Sequence, residues 1–223
     1  MKLVLLFFII AIARPQRLLS QDTAKIIKAI EHQLARKKIS ISEVLTDSSY
    51  MSLHSLFSFR KMVKQFAKNE KIKIAASTEA GTRIHVKGTV VNLVGDAESS
   101  KPVYFYQTSD KGWYADTAVH VLENEGDRKH ARLFGYVITD VNGNFEFETI
   151  KPKGYPNSVL PAHIHLEITL GENNVLITEL QFEDDPRLTG TIRTRSLREH
   201  FLIARNQSTT DEPVYLYTIV TGN

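Results

Sequence analysis

Cysteine is absent from this 223-residue sequence. That excludes disulfides, thiolate metal sites and a cysteine nucleophile, so any metal must be held by oxygen and nitrogen. Charge of one sign is also scarce: 28 basic residues face 25 acidic ones, for a net charge of only +3. With no basic block and no recognition motif, nucleic-acid binding is not expected. Long apolar runs are missing except at the start, where Leu3 to Ala13 follow Lys2. That run is too short to span a bilayer comfortably, and Ala11-Ile12-Ala13 has the small-residue spacing of a cleavage site. Residues 1–20 are therefore expected to be a signal peptide, cut after Ala13 or Ser20. The mature protein is expected to be secreted or periplasmic, with no membrane partner once the leader is removed.

The rest divides by hydrophobic period. Residues 21–70 carry helical spacing, with Ile26, Ile27, Ile30 and Leu34 in one stretch and Leu53, Leu56, Phe57, Met62, Val63 and Phe66 in a second. This helical N-terminal segment is expected to pack on the remaining domain or on another copy in a homo-oligomer. Residues 71–223 change to period two, with candidate strands at 83–93, 102–108, 133–139, 144–150, 162–170, 175–182 and 214–221. Short strands with turns at regular intervals point to a mainly β fold, an antiparallel β-sandwich. Asn142-Gly143 is a hairpin signal, because both residues tolerate positive φ. The C-terminal stretch 196–223 reads as a partly helical return and a last strand.

Chemistry concentrates in Pro161-Ala162-His163-Ile164-His165. Two histidines at i and i+2 on a strand project from one face, a common way to hold a metal on a sheet. Taken alone the pattern cannot choose the metal, and an edge strand with a polar face would look the same. Upstream, Thr149-Ile150-Lys151-Pro152-Lys153-Gly154-Tyr155-Pro156 ends a strand in a stiff turn displaying Tyr155. Gly112-Trp113-Tyr114 follows the strand-ending Tyr106-Gln107 and displays Tyr114. A buried tyrosine is more often a core ring, so the residue types alone leave both tyrosines open.

These pieces, together with Gly135-Tyr136-Val137-Ile138-Thr139-Asp140-Val141-Asn142-Gly143-Asn144-Phe145-Glu146-Phe147, occur in an order that resembles the intradiol ring-cleavage dioxygenases. That family includes the catechol and protocatechuate dioxygenases. The resemblance covers residues 83 to 185. It implies a mononuclear Fe(III) site held by Tyr114, Tyr155, His163 and His165, with Tyr155 and His165 axial and Tyr114 and His163 equatorial. It further implies a catalytic role for Tyr155, which would leave the metal and help take a substrate proton. The substrates would be O2 and a small catechol-type aromatic.

Two positions depart from the family pattern. Leu160 stands where the well-studied enzymes have arginine, three residues before the first ligand histidine. Glu179 stands where they have glutamine. Loss of one charge-stabilising donor commonly costs about 100- to 1000-fold in rate. Arg132 and Arg193 are the arginines considered as substitutes, with ordinary surface solvation the favoured reading. Two alternatives therefore stay open: a weak or inactive extracellular binding module on the same sandwich, with or without metal, and a metal-free prealbumin-like interaction domain.

Overall fold

The computed structural model describes residues 14–115, 131–208 and 212–222, with side chains from residue 22 onward. Residues 1–13 of the expected signal peptide lie outside the described residues, as do His120 and His130.

The N-terminal segment is helical, as its spacing requires. Helix α1 (Arg14–Ala35) buries Ile27, Ile30 and Leu34 at i, i+3 and i+7, while Ile26 is 44% exposed. Helix α2 (Ile41–Thr46) starts in a capping box. Glu43 N–H donates to Ser40 Oγ at 3.2 Å, and Ser40 N–H donates to Glu43 Oε2 at 2.7 Å. A 3-10 turn (Ser48–Leu53) leads to α3 (Phe57–Gln65), which buries Phe59, Met62 and Val63.

The chain beyond is mainly β. Among the described residues, nine strands form one sheet: β1 (Ile72–Lys73), β2 (Arg83–Val91), β3 (Pro102–Gln107), β4 (Leu133–Ile138), β5 (Asn144–Ile150), β6 (His163–Gly171), β7 (Asn174–Phe182), β8 (Leu202–Asn206) and β9 (Val214–Val220). Their spatial order is β1-β5-β2-β9-β8-β7-β6-β3-β4. Helix α4 (Gly190–Arg198) lies between β7 and β8.

The expected strict antiparallel pairing does not hold: β1–β5, β2–β9 and β7–β8 are parallel. The β7–β8 pair involves β8, which sequence period alone had not separated from the C-terminal return. It joins the arm ending in β7 to the arm ending in β9, making one folded sheet. The two arms face each other, with Phe105 of β3 stacked on Phe147 of β5 at 3.8 Å.

The turn at Asn142-Gly143 forms, with Gly143 at φ +75° and its N–H donating to Asp140 O at 3.0 Å. It does not close a hairpin. Strand β4 pairs with β3, and β5 pairs with β1 and β2, so the turn carries the chain from one arm to the other. The β6–β7 connection at Glu172-Asn173 does form a hairpin, with Gly171 opposite Asn174.

Strand parity places the site. On β6, Ile164, Leu166 and Ile168 face the interior, so His163 and His165 share the other face with Tyr104 and Tyr106 of β3. The helical segment packs against that outer face near β4. There buried His54 stacks on Phe59 at 5.1 Å and meets the edge of Phe134 at 5.4 Å. His54 Nδ1 lies 2.7 Å from Arg132 O, which can only accept, so Nδ1 carries the proton.

Burial holds the His54 pKa below the ordinary histidine value, and the nearby Arg132 charge adds to this. A lowered folded pKa means the unfolded chain takes the proton first as pH falls below about 6.5. Stability should therefore decline from pH 7 towards 5, by at most about 1.4 kcal/mol per pH unit for this one group. Denaturant titrations across that range should show the decline. His54→Asn, which keeps a donor to Arg132 O but does not titrate, should flatten it.

Candidate metal centre

The four residues singled out in the sequence converge. Tyr114 Oη lies 2.5 Å from Tyr155 Oη and 2.7 Å from His165 Nε2, and Tyr155 Oη lies 3.0 Å from His163 Nε2. Two loops and one strand supply them.

Strand β3 runs out at Gln107, and the following turn is closed by Gly112 N–H donating to Ser109 O at 3.0 Å and Ser109 N–H donating to Trp113 O at 2.8 Å. Gly112 sits at φ +76°, where an L side chain is strained. A Cβ there would also fall 2.5 Å from Gly154 O. The Tyr114 loop is thus seated directly on the backbone of the Tyr155 loop. Three further bonds lace them. Gln107 Nε2 donates to Ile150 O at 2.8 Å, Thr108 Oγ1 to Lys153 O at 2.7 Å, and Lys153 N–H to Ser109 O at 3.2 Å.

The other side of the Tyr155 loop is strapped by residues that sequence reasoning missed. Arg187 Nη1 donates to Tyr155 O at 3.2 Å and to Leu160 O at 3.4 Å. Asp185 accepts from Ala162 N–H at 2.8 Å and from Arg187 N–H at 2.7 Å. The available signal was Asp185-Pro186-Arg187 at the end of β7, a turn whose aspartate caps its own backbone.

One histidine is held in a defined tautomer, and the charge beside the other favours one. His163 Nδ1 lies 2.8 Å from Pro161 O, so it donates there and leaves the Nε2 lone pair facing Tyr155. Tyr106 stacks on His165 at 4.6 Å, and Glu179 Oε1 stands 3.7 Å from His165 Nδ1. A carboxylate on that side favours the proton on Nδ1 and leaves Nε2 towards Tyr114. His163, His165 and Glu179 offer atoms within 4.8 Å of one another, a grouping able to hold a metal. Since Glu179 flanks the Nδ1 side of His165 and the tyrosines flank Nε2, its position suits orienting the ring better than joining the tyrosines on one ion.

This donor set fits a trivalent cation. With both Nε2 atoms unprotonated, two hydroxyl hydrogens must serve three short contacts, so one contact sets lone pair against lone pair. A cation between the four atoms removes that conflict. Burial pushes the Tyr114 phenol well above its ordinary range, and the neighbouring Tyr155 raises it further. Burial raises Tyr155 as well, Glu179 adds to the rise, and the Tyr114 hydroxyl opposes it. Neither phenol ionises readily here without a compensating charge, which a bound metal would supply.

The arginines considered as substitutes are engaged elsewhere. Arg132 forms a two-pronged pair with Glu79, so the reading of plain surface solvation does not hold for it. Arg193 bonds Glu183 at 2.8 Å. Leu160 is half-buried on the Tyr155 loop, and Trp113 is half-buried beside Tyr114.

Comparison with known proteins agrees with this architecture. A family model described as "Dioxygenase" matches residues 58–220. The chain is 31% identical over 117 residues to a protocatechuate 3,4-dioxygenase beta chain of Burkholderia cepacia, covering 48% of each. It is 26% identical over 132 residues to a catechol 1,2-dioxygenase of Acinetobacter lwoffii, covering 52% of this chain and 40% of that one. The matches thus span less than half the length of these relatives. Among solved structures, a 3-chlorocatechol 1,2-dioxygenase of Rhodococcus opacus 1CP superposes with a TM-score of 0.52 at 18% identity, covering 91% of this chain and 97% of that chain. A dioxygenase domain of Streptomyces sp. SirexAA-E gives 0.53 at 22% identity, over 69% and 88%. At these identities the structural likeness is one of fold. The family match spans most of the sequence, and the chain belongs to the intradiol ring-cleavage dioxygenase family.

Proposed function

We propose that this chain is a non-haem Fe(III) intradiol-type dioxygenase that opens a catechol or related hydroxylated aromatic ring with O2. The observation that carries the reading is the convergence of Tyr114 Oη, Tyr155 Oη, His163 Nε2 and His165 Nε2 from three separate parts of the chain. Bound Fe(III) would stabilise the two phenolates and, as a Lewis acid, draw electron density from a catecholate. His163 and His165 would hold it on a rigid strand, the first fixed by its Nδ1 bond to Pro161 O and the second facing Glu179 on its Nδ1 side. Tyr114, almost fully buried, would be the permanent phenolate. Tyr155 is half-exposed on a loop, with its hydroxyl against Tyr114 and His163. It is the better placed of the two tyrosines to swing away and accept a proton from the incoming substrate hydroxyl. Export through the N-terminal leader belongs to the same proposal.

Leu160 and Glu179 favour a second reading, a binding module with weak or absent catalysis. The half-buried Arg187 guanidinium bonds two backbone carbonyls. Its fork is therefore directed at the loop backbone. Glu179 adds negative charge beside the place an anionic substrate would occupy.

Elemental analysis of purified protein should find one iron per chain, with a visible band from phenolate-to-iron charge transfer. Iron that stays colourless after oxidation would overturn the reading. Tyr155→Phe should weaken and shift the band, and His163→Ala should abolish iron retention. Unchanged metal content in both variants would favour a metal-free interaction domain.

Oxygen uptake with any of a panel of catechols removes the inactive-module reading. On the weak-catalysis reading, Leu160→Arg should raise kcat by about tenfold or more, within the effect of one restored charge-stabilising donor. An unchanged kcat in an iron-loaded variant would show that Leu160 is not the limiting departure.

Gly112→Ala adds one methyl group against Gly154 O at a positive φ. It should lower stability by about 1–3 kcal/mol and reduce iron retention with all four donor side chains intact. Denaturant midpoints and metal analysis check this together. Full iron with full stability would show that the seating of the two loops does not position the site.

A further inference from the structure

We propose that the cleft between α3 and the outer face of β4, β3 and β6 binds a small aromatic carboxylate bearing a ring hydroxyl, apart from the Tyr/His cluster. The cleft encloses about 520 Å³, a size suited to a small organic ligand. Its floor is a cross-strand row. Tyr136, Tyr104 and Glu167 are register partners on β4, β3 and β6, so they emerge side by side. The Tyr104 and Tyr136 rings stack at 4.5 Å with 21° between their planes.

Helix α3 forms the facing wall and contributes Arg60, Lys61 and Lys64. Residues 60 and 64 are one turn apart, so their side chains line the same side of the helix. Lys64 Nζ stands over the Tyr136 ring, 6.0 Å from its centre. Among the described residues neither Lys61 nor Lys64 forms an ion pair, and neither does Glu167. Phe57 at the lip is 52% exposed.

The combination selects a ligand class. Unpaired ammonium groups call for an anion. An aromatic floor with an apolar lip calls for a flat ring, which stacks or packs edge-on. A lone carboxylate among these groups can only accept, so it suits a ligand that also carries a hydroxyl donor. A neutral aromatic would leave the lysines unused, and a non-aromatic anion would leave the tyrosine floor unused.

A run of stacked rings links the cleft's floor to the metal centre. Tyr104 stacks on Tyr106 at 5.3 Å, and Tyr106 stacks on His165 at 4.6 Å. Cleft and centre therefore lie at the two ends of one run of stacked rings on one sheet face. Hydroxylated aromatic acids fall in the general class that the proposed activity would consume, which makes the cleft a docking place outside the reaction site. Its occupancy depends on α3 and the tyrosine floor and needs no metal.

The test is isothermal titration of the full chain, under argon, with 4-hydroxybenzoate, its methyl ester and cyclohexanecarboxylate, following visible absorption alongside. 4-Hydroxybenzoate should bind, and the ester and the non-aromatic acid should bind about tenfold or more weakly. In a Lys61→Glu, Lys64→Glu double variant the dissociation constant for 4-hydroxybenzoate should rise about tenfold or more, with circular dichroism and the visible band unchanged. Equal binding of the ester, unaltered affinity in the double variant, or no binding heat would overturn the proposal. If the visible band is missing in all samples, the iron reading fails, while the titration still decides the cleft.

Discussion

The site depends on the seating of one loop on another. Gly112 lies against the Gly154 carbonyl at a distance that excludes any side chain, and hydrogen bonds from Gln107, Thr108 and Lys153 hold the two segments in register. Because Tyr114 follows Gly112 by two residues and Tyr155 follows Gly154 by one, fixing the backbones fixes the hydroxyls. The third member needs no loop: His163 and His165 are carried on β6, whose inward residues are fully buried. A rigid strand thus presents two imidazoles, and a laced pair of loops lowers two phenols onto them. Asp185 and Arg187 close the arrangement from the far side by fixing both ends of the segment between Tyr155 and His163.

Electrostatics then make this arrangement costly without a cation. One buried and one half-buried phenol, one carboxylate and two imidazole lone pairs gather around one point. Ordinary cores place a tyrosine hydroxyl on a backbone carbonyl. Here the two hydroxyls lie against each other and against the imidazoles. A protein gains nothing in stability from four lone-pair donors facing one point, and their persistence is understandable where a metal offsets the charge.

Much of this was legible in the sequence, and what escaped was non-local. Strands β2 to β7 and β9 follow from period two with errors of at most a few residues, and β5 from the alternation of Phe145 and Phe147 alone. The i, i+2 histidines gave a shared face directly. Strand β8 escaped because Leu202 to Asn206 is too short and mixed to show a period, and its role is to join two strands that are far apart in sequence. The Asn142-Gly143 turn was found but its consequence was misjudged. Turn chemistry sets a local reversal and does not choose the partners of the strands on either side. The convergence of Tyr114 and Tyr155 was readable only through the family resemblance, since 41 residues separate them and nothing local links their loops.

The two departures from the family pattern both bear on charge at the centre. Glu179 sits on the Nδ1 side of His165 and makes its Nε2 a stronger electron donor than a neutral amide there would. On the iron reading, a more basic ligand stabilises the ferric state and weakens the metal's pull on a bound aromatic dianion. The same charge opposes that dianion's arrival. Leu160 removes a cation that would have countered both effects, and the Arg187 guanidinium, two bonds deep in the Tyr155 loop backbone, holds structure where charge was needed. On the iron reading, both changes push in one direction, towards a tightly held oxidised centre with a weakened attraction for anionic ligands.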